Sequence, residues 1–229
     1  MSDLRRKLTI EFIGTFFLMF TVGMAVARAG TLAPLAIGAV LMVMVFAGGH
    51  ISGGHYNPAV STAALVRGKL PAGDCGAYIV TQVIAAILAG LLVGAMGYAP
   101  PSAMAVAGSG TMLIAEFLFT FALAFVVLNV ATAPDTENNS YFGLAIGFTL
   151  ATGAFAVGSV SGGAFNPAVA LGASVLGLFS WSHIWIYLLA EFAGGAVAAI
   201  AFLLTQPAAA PAESDRTGHT EDSTSLRAA

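Results

Sequence analysis

The sequence predicts an all-α membrane protein, with six transmembrane helices plus two re-entrant half-helices arranged as an inverted repeat. Three observations predict it. Of the 229 residues, 58% are hydrophobic and only 8% charged, whereas a soluble domain carries about 25% charged residues; the mean hydropathy of +0.90 agrees. Six apolar stretches approach the roughly 20 residues that a helix needs to cross a bilayer. The segment Asn-Pro-Ala-Val occurs twice, beginning at Asn57 and at Asn166.

The first stretch covers residues 8–28. Arg5-Arg6-Lys7 ahead of it resembles the basic start of a signal peptide. The apolar run is long, however, and holds Glu11, and a similar run recurs around Glu116, so it reads as the first span. The remaining spans fall at residues 34–49, 75–97, 112–133, 141–158 and 183–205; the second and fifth are short and run into Gly-rich chain. Lysine and arginine in short loops set orientation. Arg5, Arg6, Lys7, Arg67, Lys69, Arg216 and Arg227 share one side and Arg28 stands alone on the other, which puts both termini in the cytoplasm. The acidic loop at 134–140 is a mild exception. The tail at 206–229, rich in Ala, Pro, Ser, Thr and charge, reads as disordered and cytoplasmic. Cys75 is the sole cysteine, which excludes an intrachain disulfide and a cysteine-based metal cluster. No cofactor or metal site is expected, and a net charge of -3 gives no reason to expect a nucleic-acid partner.

An internal repeat organises the chain. Leu35-Ala36-Ile37-Gly38 recurs as Leu144-Ala145-Ile146-Gly147, and Ser52-Gly53-Gly54 ahead of Asn57 recurs as Ser161-Gly162-Gly163 ahead of Asn166. Tyr78 and Gln82 answer to Tyr187 and Glu191; all these pairs stand 109 residues apart, while Glu11 and Glu116 stand 105 apart. The repeats are 1–105 and 106–205. Each holds three spans, an odd number, so the second enters the membrane inverted, with a pseudo-two-fold axis in the membrane plane.

The segments after Pro58 and Pro167 are apolar, too short to span, and preceded by Gly-rich chain. They read as re-entrant half-helices, which are tolerated at membrane depth only where protein or a water-filled path satisfies the backbone. Asparagine is a strong N-cap and proline suits the first helical position. Inversion brings the two N-termini together near the midplane, each with about half a positive elementary charge. Asn57 and Asn166 then offer amide donors to a passing neutral molecule, while the facing dipoles oppose cations and hydronium. A lone Asn-Pro-Ala is ordinarily just a turn; two copies in the same context argue against that.

At these residues the chain resembles the aquaporin, or major intrinsic protein, family, over about residues 8–205. The resemblance rests on the boxes Asn57-Pro58-Ala59 and Asn166-Pro167-Ala168, on Gly49-His50-Ile51-Ser52-Gly53-Gly54-His55-Tyr56, and on Glu11 and Glu116. It implies an aquaporin-like fold with one pore per subunit, a homotetramer in the plasma or inner membrane, and Glu11, Glu116 and His50 supporting the re-entrant loops. It also implies a constriction at Ile37, Ala154, Gly163 and Val169, a one-residue shift making the second of these Gly153. Most members place an arginine where this chain has Val169, and water-selective members tend to place an aromatic residue and a histidine at Ile37 and Ala154. The departure predicts a broad, uncharged filter. The expected function is a passive channel for water and small uncharged solutes (glycerol, urea, neutral metalloid hydroxides such as arsenous acid) that excludes protons and ions.

Other residues have plainer readings. Glu191, with Gln82, is expected to support the loops like Glu11 and Glu116 rather than to relay protons. His55 is read as loop-shaping and pore-lining, and Trp181, His183 and Trp185 as interfacial anchors. Gly90, Gly94, Gly194 and Gly195 are read as helix-crossing contacts. The alternatives are a secondary transporter, which also uses inverted repeats and broken helices, and a cation channel, which would need rings of carbonyls or carboxylates. An enzyme fits least, since no nucleophile, base and orienting group converge.

Overall fold

The computed structural model describes residues 3–206, and these form eight α-helices and no strand. The tail at 207–229 lies outside the described residues, and with it nearly all of the segment expected to be disordered. Six helices are long and apolar enough to cross a membrane: α1 (Asp3–Arg28), α2 (Ala33–Ser52), α4 (Ala72–Val93), α5 (Ser109–Thr132), α6 (Phe142–Ser161) and α8 (Ile184–Thr205). Between them lie the short helices α3 (Pro58–Val66) and α7 (Pro167–Leu176).

The second and fifth spans are longer than expected. Each is 20 residues and runs through its Gly-rich end to a serine, Ser52 or Ser161, before a left-handed glycine, Gly53 (φ 90°) or Gly162 (φ 100°), closes it. Glycine inside a helix costs only about 1 kcal/mol against alanine. Here the small residues also let neighbouring backbone approach, so the helix continues to where a left-handed φ demands a glycine.

The contacts come in repeat-related pairs. α1 packs on α4 as α5 packs on α8, and each half-helix lies against a long helix of the other repeat, α3 on α8 and α7 on α4. α1 also packs on α2 as α5 packs on α6, and the contact of α2 with α6 pairs one element with its own counterpart and so lies on the pseudo-two-fold axis. Gly38 and Gly147 meet there. A Cβ built on either would lie 2.5 Å from the carbonyl oxygen of the other.

Gly90 approaches the Gly172 backbone, Gly194 that of Phe117 and Phe121, and Gly195 that of Ala59. Gly94 makes only an ordinary contact with the Leu176 side chain, so it is not a close crossing point. Cys75 is buried in the first turn of α4 with Ala64, Leu70 and Tyr78. Large apolar side chains such as Val80, Ile114, Leu118 and Leu204 stand exposed on the outer faces, where a hydrocarbon surround suits them.

Candidate functional site

The two short helices begin alike. Asn57 and Asn166 are extended at their N-caps, and each carboxamide oxygen accepts from two N–H groups of the helix it opens, Ala59 and Val60 or Ala168 and Val169. Each carboxamide nitrogen reaches across the molecule instead. Asn57 Nδ2 donates to the Phe165 carbonyl at 2.8 Å, and Asn166 Nδ2 donates to the Tyr56 carbonyl at 2.9 Å. The helix N-termini therefore meet. One amide hydrogen of each asparagine is committed to the opposite loop, and the second is left for the cavity that both residues line.

The loops before these caps are strained in the same way. Gly53, Gly54 and Tyr56 have positive φ, as do Gly162, Gly163 and Phe165. For Tyr56 (φ 50°) and Phe165 (φ 49°) this is uncommon, and it persists only where surroundings over-determine it. The surroundings are buried carboxylates. Glu11 accepts from the Ser52 hydroxyl (2.6 Å), His55 N–H (3.0 Å), Tyr56 N–H (2.7 Å) and the Gln82 amide (2.8 Å). Glu116 accepts from the Ser161 hydroxyl (2.6 Å) and from the N–H groups of Gly163 (3.1 Å), Ala164 (3.2 Å) and Phe165 (2.8 Å). The Tyr78 and Tyr187 hydroxyls donate to the carbonyls of Ser52 and Ser161. A buried carboxylate with several donors is a strong clamp on backbone.

His50 takes no part in this clamp. It stands exposed near the end of α2, bordering a vestibule of about 700 Å3 that Lys7, Lys69 and Asp74 also line. Among the described residues no hydrogen bond joins it to the loop. The histidine that does bear on the loop is His55, whose Nδ1 lies 3.1 Å from Ser61 Oγ and whose ring packs edge-on to Tyr78. Position in a helical last turn aims His50 outward, whereas residue 55 follows the paired glycines that turn the chain inward. Glu191 also departs from its counterpart: Gln82 bonds Glu11, but neither carboxylate oxygen of Glu191 meets a donor.

Between the meeting N-termini runs a narrow lumen. Its cavity volume is about 20 Å3, little more than the roughly 10–15 Å3 that one water needs. The residues lining it are repeat-related throughout. Besides the asparagines, Gly54 is matched by Gly163 and Val60 by Val169; from α2 and α6 come Ile37 with Ile146 and Leu41 with Leu150. α1 and α5 contribute Leu18 with Leu123 and Val22 with Val127, and only His55 against Ala164 breaks the match in residue type.

Of the four expected constriction residues, Ile37, Gly163 and Val169 line this lumen and Ala154 does not. Ala154 backs Gly163, its Cα 3.5 Å from where a Gly163 Cβ would stand. The alternative, Gly153, is buried against the Phe119 and Phe165 rings and is no nearer the passage. Nor does the lumen open into the broad passage expected from small residues and a missing arginine. Leu41, Leu150, Ile146 and Leu123, which sequence spacing did not single out, fill the space. The repeat itself held the signal for them, since Leu41 and Leu150, or Leu18 and Leu123, are identical residues at the two repeat offsets.

Facing helix ends, inward asparagines and an apolar lumen between six spanning helices define a membrane channel. The major intrinsic protein family model matches residues 1–202. The chain is 39% identical over 206 residues to glycerol uptake facilitator protein-like 6 of Lactiplantibacillus plantarum, covering 85% of this chain and 95% of that protein. It is 36% identical over 210 residues to aquaporin NIP1-4 of Oryza sativa subsp. japonica, covering 87% and 76% respectively. The fold matches the aquaglyceroporin of Plasmodium falciparum with a TM-score of 0.75 at 21% identity, over 86% of this chain and 94% of that one. The chain belongs to the major intrinsic protein family: it is a multi-pass membrane channel of the aquaporin type and not an enzyme.

Proposed function

We propose that this channel passes water and small uncharged solutes, with glycerol, urea and neutral metalloid hydroxides such as arsenous acid as the solute class, and that it rejects protons and ions. The observation that supports this most is the composition of the lumen. Its polar groups are confined to Asn57, Asn166, His55 and the loops, while the rest of its wall is branched aliphatic. A polyol is amphipathic in the same sense: its hydroxyls can follow the polar line while its C–H edges lie against leucine and isoleucine. Val169 puts no fixed charge and no fork of donors at the outer end, so nothing there demands water in preference to a larger neutral molecule. Passage of a glycerol-sized solute requires the aliphatic side chains to shift rotamers, motions that are fast on the transport timescale. Charged solutes meet two helix N-termini and an apolar wall that cannot replace a hydration shell.

Ile37, Gly163 and Val169, with Ala154 behind Gly163, are the proposed outer filter, and the two Asn-Pro-Ala turns the proposed cation barrier. Each repeat, 1–105 and 106–205, is the proposed structural unit. The positive-inside distribution supports both termini in the cytoplasm of a bacterial-type inner or plasma membrane, and membership of the family supports a homotetramer with one pore per subunit. Light scattering of proteoliposomes after hyperosmotic shock tests the solute class. Shrinkage in glycerol followed by rapid, non-saturating re-swelling is the expected trace. Fast water flux with glycerol excluded overturns the solute class, and saturable or gradient-coupled uptake would favour a transporter.

A further inference from the structure

The repeat symmetry of the lumen extends beyond the two turns to the walls on either side of them. Ile37, Gly163 and Val169 have the repeat counterparts Ile146, Gly54 and Val60, and all six line the same narrow cavity. Ile146, His55 and Val127 border both that cavity and the vestibule beside Lys7, while Gly54 and Val60, like Ile37, Gly163 and Val169, border the cavity alone. Inversion of the repeats places each residue and its counterpart on opposite sides of the two turns. The two sets therefore occupy opposite ends of the lumen.

They differ in bulk. Ala154, behind the outer set, has Val45 as its counterpart, and Val45 is 2% exposed and faces the vestibule. Ala164, in the outer loop, has His55 as its counterpart, with its ring held by Ser61 and Tyr78. At both places where the ends differ, the larger side chain is on the vestibule side. The polar group there is also fixed: the His55 ring cannot swing aside without losing its contact with Ser61 Oγ and its edge-on packing against Tyr78.

We propose that the channel has a second constriction, formed by Ile146, Gly54, Val60 and His55 toward the vestibule with Val45 beside it, and that this one, rather than the outer set, limits the size of the solute that passes. This rests on the reading of the lumen as a pathway for neutral solutes. Two constrictions in series add as resistances, so relieving the smaller cannot even double the flux, whereas relieving the larger can multiply it.

The test is re-swelling of proteoliposomes in glycerol and in the longer polyol erythritol, with water permeability measured alongside. Ile146→Ala is expected to raise erythritol flux at least about three-fold, and Ile37→Ala less than about two-fold. Ile146→Val, a milder change at the same position, shifts in the same direction as Ile146→Ala and carries the test if that variant does not assemble by size-exclusion chromatography. An increase with Ile37→Ala that equals or exceeds the increase at the vestibule end overturns the proposal, as does indifference of polyol flux to all three changes. Those outcomes leave the neutral-solute channel intact so long as wild-type glycerol flux exceeds that of empty liposomes. A wild-type protein that passes neither glycerol nor water would overturn the channel reading and this constriction with it.

Discussion

Glu191 is the residue at which the second repeat departs most from the first. Gln82, its counterpart, donates to Glu11 at 2.8 Å and to Ser61 Oγ at 3.0 Å. In the second repeat Ser61 is replaced by Ala170, and neither oxygen of Glu191 meets a donor although the side chain is fully buried. A glutamine at 191 would offer Glu116 an amide donor without a proton having to be shared between two buried carboxyls. Glu191→Gln is therefore expected to stabilise the protein by about 1.5–3 kcal/mol, the usual worth of a hydrogen bond to a charged group. Glu116→Gln is expected to act oppositely. It puts an NH2 group among four donors aimed at the carboxylate and should cost about 1–3 kcal/mol or more. Thermal denaturation in detergent, followed by loss of monodisperse protein, reads both. A lower melting temperature for Glu191→Gln would mean that the carboxyl has a structural role the glutamine cannot fill.

At the scale of elements, the long helices are held together by places where side chains are absent. The crossing of α2 and α6 at Gly38 and Gly147 has no room for a Cβ: one added at Gly38 would meet Gly147 O at 2.5 Å and the Ala151 Cβ at 2.6 Å. Gly38→Val is expected to separate the helices and reduce folded protein sharply, since overpacking costs typically about 1–3 kcal/mol even where side chains can yield, and backbone yields less. Gly76, in the first turns of α4, has nothing within 4 Å of a built Cβ and lies on the exposed face. Gly76→Ala should be tolerated and even gain up to about 1 kcal/mol from helix propensity. Yield and melting temperature of the two variants give the comparison. Similar losses in both would show that glycine is needed for something other than close approach.

For the whole molecule, the inverted arrangement makes one property collective. Neither half-helix is long enough to span, and neither N-terminus alone would face the middle of a lumen. The proposed barrier to cations requires both to meet at once, with each asparagine tied to the other loop. Planar-bilayer recordings in potassium chloride are accordingly expected to show no unitary current at voltages that leave control membranes intact. A reproducible cation conductance would show that removing the arginine had opened an ion path despite the facing dipoles.

Much of this was legible in the sequence. Composition sets the lipid surround, because a chain with 8% charged residues cannot present a polar surface to water. Duplication of Ser-Gly-Gly and Asn-Pro-Ala sets the topology, because three spans per repeat invert the second. Cap chemistry follows from residue type, while the loop-supporting role of Glu11 and Glu116 was implied by the family resemblance and is met by their bonds to the loop N–H groups. The tertiary structure alone decided what depends on which side chains converge from distant helices. It turned His50 outward and His55 inward, put Ala154 behind Gly163, and closed the lumen with Leu41, Leu150, Ile146 and Leu123. Spacing from a motif gives a position along one helix but not the rotation of that helix about its axis. That rotation is settled by close glycine crossings such as Gly38 on Gly147, which exist only once both helices are packed.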